Sequence, residues 1–158
     1  MRQALMTSIL AVGVALLPLA AAAQTPCDGP QPTELFVLPP DAPGVSFAFT
    51  VRTIDVPTIS SYTLRLYRAD ANSQPTGEAL SVQNVTAAAT TAHGPRAGDP
   101  DAACYSLPVV PVSQIPRGVP LVATLVATGG VQELSSGESE PSNPLGQRLG
   151  PPALRVKP

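Results

Sequence analysis

Twenty prolines in 158 residues constrain this chain more than any other feature. Nineteen of them follow residue 23. Each proline fixes its own φ and lacks a backbone N–H, so it breaks helices and is confined to the ends, edges and bulges of sheets. Their spacing leaves no room for a long helix and divides the chain into short runs. Several of those runs alternate apolar and polar side chains with the period of two expected of a strand buried on one face.

The most strand-like run follows the turn Ile115-Pro116-Arg117-Gly118. One phase gives Leu121, Ala123, Leu125 and Ala127; the other gives Val122, Thr124, Val126 and Thr128. A helix is the competing reading. The density of Val and Thr, Pro120 before the run and Gly129-Gly130 after it oppose that reading. The all-aliphatic phase is expected to face the core and the Val/Thr phase to face outward.

Further strands are expected at Glu34–Leu38, Val45–Arg52, Ser61–Arg68, Leu80–Val85, Tyr105–Val110 and Ser139–Leu145. In the second, Val45, Phe47, Phe49 and Val51 share a face; in the third, Tyr62, Leu64 and Leu66 do. Pro108 marks an edge or a bulge. Thr86–Ala103 reads as a long loop and Val131–Gly137 as a polar hairpin tip. About seven short strands separated by turn signals predict an all-β fold, a Greek-key β-sandwich.

Residues 1–23 read as a signal peptide. Arg2 precedes the apolar run Ile9–Leu19, and Ala21-Ala22-Ala23 offers a cleavage point before Gln24. That run is short for a membrane span, and no second long apolar run follows, so the mature chain is expected to carry no transmembrane segment. The expected destination is secreted or periplasmic. The remaining organisation is an N-terminal arm at 24–32, a sandwich at 33–145 and a Pro-rich tail at 146–158. Eight basic against eleven acidic residues in the mature chain give a net charge of −3, with no basic cluster, which argues against a nucleic-acid partner. The preference for Arg over Lys, with abundant Ala, Pro and Gly, is the bias of a GC-rich bacterial genome.

Cys27 and Cys104 are the two cysteines. In an oxidising compartment they most simply pair, closing a loop of nearly eighty residues; two free thiols are the alternative.

The second half of the chain resembles a fibronectin type III domain. Ile115-Pro116-Arg117-Gly118 followed by Leu121-x-Ala123-x-Leu125-x-Ala127 is similar to that family's turn and alternating strand, and Gly137-Glu138-Ser139-Glu140-Pro141-Ser142 is similar to its closing Gly-x-Ser-x-x-Ser segment. Tyr62-x-Leu64-x-Leu66 resembles its third strand. The resemblance implies an immunoglobulin-like sandwich over roughly Thr33–Leu145. The family's core Trp is missing, so Phe47 or Phe49 has to fill that volume. Leu121 stands where a corner Tyr is usual, and the cysteine pair is not a family feature.

Little in the sequence points to catalysis. His93 is the single histidine, and no Gly-x-Ser-x-Gly elbow accompanies it. One histidine and two cysteines do not make a zinc site. Asp70-x-Asn72-x-Gln74 and Asp99-Pro100-Asp101 echo cation loops but read as turn chemistry. Asn84-Val85-Thr86 is a glycosylation sequon. No cofactor or metal is expected. The expected function is a non-catalytic exported module binding a protein or surface partner through loops or a strand edge. The candidate contact surface is Val122, Val126, Gly129, Gly130 and Gly137. The alternatives are a self-assembling envelope or appendage component, or a small extracytoplasmic hydrolase or carbohydrate-binding protein.

Overall fold

The computed structural model describes residues 24–129 and 134–148. The expected signal peptide, Gly130 and most of the tail lie outside these residues.

The fold is all-β, with eleven strands among the described residues: β1 (Phe36–Val37), β2 (Gly44–Val45), β3 (Ala48–Arg52), β4 (Ile59–Ala69), β5 (Pro75–Thr86), β6 (Thr91–Arg96), β7 (Asp99–Ser106), β8 (Val110–Pro111), β9 (Leu121–Gly129), β10 (Leu134–Ser135) and β11 (Leu145–Gly146). The larger sheet runs β1-β11-β9-β4-β5, with β10 beside the end of β9. The smaller sheet runs β3-β7-β6, and β2 pairs separately with β8. These last two ladders form one interrupted pairing. The Leu107 N–H donates to the Phe47 carbonyl at 2.9 Å, and the Ser46 hydroxyl donates to the Leu107 carbonyl at 2.6 Å. The break contains Pro108, where the sequence predicts an edge or bulge.

Alternation places the core. Tyr62, Leu64 and Leu66 of β4 and Leu121 and Ala123 of β9 are buried in one cluster with Leu107, Val110 and Leu145. Phe49 and Val51 of the smaller sheet pack against it, with Val45 of β2 and Phe47 between β2 and β3. Phe49 is the aromatic centre: its ring lies 4.8 Å from that of Tyr62, edge to face, and 6.0 Å from that of Tyr105, stacked.

Two expectations are corrected. The long loop expected at Thr86–Ala103 contains β6 and the start of β7, joined by a tight turn at Gly98, whose φ of 79° suits a glycine. This hairpin is hard to read because Thr91–Arg96 lacks apolar alternation. The outward phase of β9 is not exposed either: Val122 is 0 % exposed, Thr124 3 % and Val126 9 %. Tyr67 and Arg65 of β4 stand opposite Val122 and Thr124, and both reach across to Glu138 at 2.8 Å, so two long side chains lie over that face.

Candidate docking groove

The core is closed at one end and open at the other. Along β9, Leu121 and Ala123 are buried, while Leu125 and Ala127 are only partly covered. At the open end a cavity of about 620 Å³ lies between the sheets. Its apolar lining is Phe49, Val51, Ile59, Tyr62, Leu125 and Ala127. Burial pushes the Tyr62 phenol up from its ordinary range, with Tyr105 adding to the effect. The gap continues as a larger space of about 890 Å³ beneath the N-terminal arm.

One lip is β3. Antiparallel strands alternate between residues bonded to one neighbour and residues bonded to the other. The Phe47 carbonyl accepts from Leu107, and the Thr53 N–H donates to the Asp101 carbonyl at 2.7 Å, so the odd positions face β7. The N–H and C=O groups of Ala48 and Thr50, and the N–H of Arg52, therefore face away from β7. Among the described residues no backbone group pairs with them there, and all three residues are exposed. The Arg52 carbonyl is taken by the Asp55 N–H at 2.9 Å.

The other lip is built from serines. Ser136, Ser139 and Ser142 donate their N–H groups to the carbonyls of Ala127, Leu125 and Ala123 at 2.8, 2.9 and 2.8 Å. Their hydroxyls accept the N–H groups of the same three residues, each at 3.0 Å. Three residues of this segment thus match two of β9. That is about 2.2 Å of advance per residue against about 3.3 Å for a strand. It acts as a regular series of bulges in which a side-chain oxygen replaces a backbone carbonyl.

Between these serines, Glu138 turns to the outer face. Its Oε1 accepts from Arg65 Nη1 and the Tyr67 hydroxyl, both at 2.8 Å, and from Thr124 Oγ1 at 3.1 Å. The Tyr67 and Arg65 donors hold the Glu138 carboxyl below its ordinary value.

Cys27 and Cys104 are disulfide-bonded, with Cα atoms 5.9 Å apart. Cys104 stands opposite Thr50 and is completely buried. The bridge pins the arm against the outer side of the smaller sheet. Asp28 adds a second anchor by accepting the Ala97 N–H at 2.7 Å; with the Thr25 contacts, this lowers its carboxyl from the ordinary value. Arg96 Nη2 donates to the Gly29 carbonyl at 3.0 Å. The arm then crosses to the larger sheet, where β1 pairs in parallel with β11.

Of the residues expected to form a contact surface, Gly129 and Gly137 line the groove, whereas Val122 and Val126 are buried away from contact. His93 Nε2 and Ser106 Oγ are 2.7 Å apart on an exposed part of the β6–β7 hairpin, and no carboxylate hydrogen-bonds that imidazole among the described residues. Asp70 Oδ1 accepts from the Asn72 and Gln74 N–H groups, each at 2.8 Å, and Asp99 Oδ1 accepts from the Asp101 N–H at 3.2 Å. Both are turn chemistry. No group of three or more metal-ligating side chains converges among the described residues, and no helix there is long and apolar enough to cross a membrane.

Sequence reasoning missed the free edge of β3 and the serine lip. The lip had a signal in the spacing of Ser136, Ser139 and Ser142. The edge had none, since the number of neighbours a strand acquires is a tertiary property.

No family model, curated protein or solved structure matches this chain.

Proposed function

We propose that this chain is an exported, non-catalytic immunoglobulin-like module that binds a protein partner at the open side between its sheets. The connectivity supports a Greek-key sandwich: the chain crosses from the smaller sheet to the larger after β3, returns after β5 and crosses again after β7. The disulfide fits an oxidising compartment. The observation that carries the binding reading is the half-covered apolar lining of the 620 Å³ groove. An apolar cleft with a polar rim is the usual form of a docking site. The test is to fill the groove with Ala127→Phe and compare binding of peptides selected from a random displayed library. Selected peptides should lose affinity for the variant; peptides that bind both forms equally refute the site.

A second reading, self-assembly, is favoured by β5, an edge strand with Leu80 and Val82 exposed. Sedimentation that changes with concentration, and stops changing in Val82→Lys, is its expected signature.

A further inference from the structure

We propose that the groove's occupant is an extended polypeptide segment that joins β3 as an added strand, with every second side chain entering the cavity. This rests on the reading of the open side as the binding site and adds the chemistry of its occupant. The argument turns on the two lips. On the β9 side the N–H and C=O groups of Ala123, Leu125 and Ala127 are already used by the three serines. On the β3 side a row of backbone groups at Ala48, Thr50 and Arg52 faces out with no backbone partner among the described residues.

An acyl chain or other apolar small molecule would cover the lining and leave that row without protein partners. A strand does both. It can pair on one lip only, so the site accepts one strand. Side chains alternate across a sheet, so guest residues bonded to Ala48 and Thr50 point outward with them. The residues between point to the side of Phe49 and Val51, into the groove. The required guest is therefore apolar at alternate positions and free of proline where it bonds. Ala48–Val51 itself carries no charge; Arg52 and Asp55 flank it at one end, and Asp28, Arg96 and Glu140 line the space beside Ala48 and Thr50 under the arm.

The experiment uses the disulfide-bonded protein and peptides selected from a random displayed library. Each peptide amide is N-methylated in turn, and the free amides of Ala48, Thr50 and Arg52 are followed by hydrogen exchange. The expected result is a period-two pattern, with affinity falling about tenfold at every second methylation. Ala48 and Thr50 should exchange at least tenfold more slowly in the complex. Thr50→Pro, which removes one outward N–H at an edge position, should weaken binding about tenfold at unchanged melting temperature; Ala48→Pro serves if that variant does not fold. Peptides that lose affinity for Ala127→Phe but show no alternation and no protection overturn strand addition and leave the groove as the site. Peptides indifferent to Ala127→Phe, or the failure of any peptide to bind, overturn both.

Discussion

Ser139 and Leu125 exchange two hydrogen bonds across the lip of the groove: the serine N–H donates to the leucine carbonyl at 2.9 Å, and the leucine N–H donates to the serine hydroxyl at 3.0 Å. The hydroxyl does the work of a backbone acceptor, which lets an irregular segment cover β9. Ser139→Ala removes that acceptor while changing little volume. A net hydrogen bond contributes about 1 kcal/mol. We predict a loss of that size and a fall in Tm of about 4 °C, read by thermal circular dichroism. An unchanged melt would show that solvent replaces the hydroxyl.

Acid should loosen the outer face through Glu138. Its carboxyl is held below its ordinary value of 4.5 by Tyr67 and Arg65. A depressed carboxyl adds stability that is fully present above the unfolded-state pKa and is lost as pH falls through the folded-state pKa. Denaturant midpoints should therefore be flat with respect to this group near neutrality and decline below about pH 4.5. Glu138→Gln should lower the neutral midpoint and reduce that decline. An acid limb identical in the two proteins would remove Glu138 as its source.

The Cys27–Cys104 bridge spans a sequence separation of 77. Closing a loop of that length stabilises by about 4.5 kcal/mol at most in the chain-entropy account. The pair Cys27→Ser and Cys104→Ser should lower stability by up to that amount. Limited proteolysis should then cut within 24–32 before it cuts the body. Simultaneous cleavage of arm and body would mean that the bridge supports the whole sandwich.

Gly129 closes the open end of the groove against a neighbouring backbone. A Cβ there would overlap the Thr58 carbonyl and crowd Ile59. Gly129→Ala should destabilise by about 2 kcal/mol through overpacking against rigid backbone. The matched control is Gly137→Ala, where nothing lies within 4 Å of the added methyl. Equal melts for the two variants would contradict this packing.

Much of the fold was legible because one-sided burial leaves a periodic trace. The inward sets Tyr62, Leu64, Leu66 and Phe47, Phe49, Val51 point to the core as their alternation implies. Pro108 fell at the interruption it predicted. The Val/Thr phase of β9 misled because threonine and valine serve equally on an open face and under a lid made by Arg65, Tyr67 and Glu138. The β6 strand left no trace, since Thr91–Arg96 is largely exposed and is held by its pairing with β7. The groove was half legible: Gly129 and Gly137 were singled out, but the free edge of β3 depends on which strand fails to arrive beside it.

The pairing of Phe36 with Leu145 joins the first described strand to the last. A polypeptide delivered from its amino end presents Phe36 long before its neighbour exists. The wider layer then cannot close along this seam until residue 145 emerges to lie between Phe36 and Leu121.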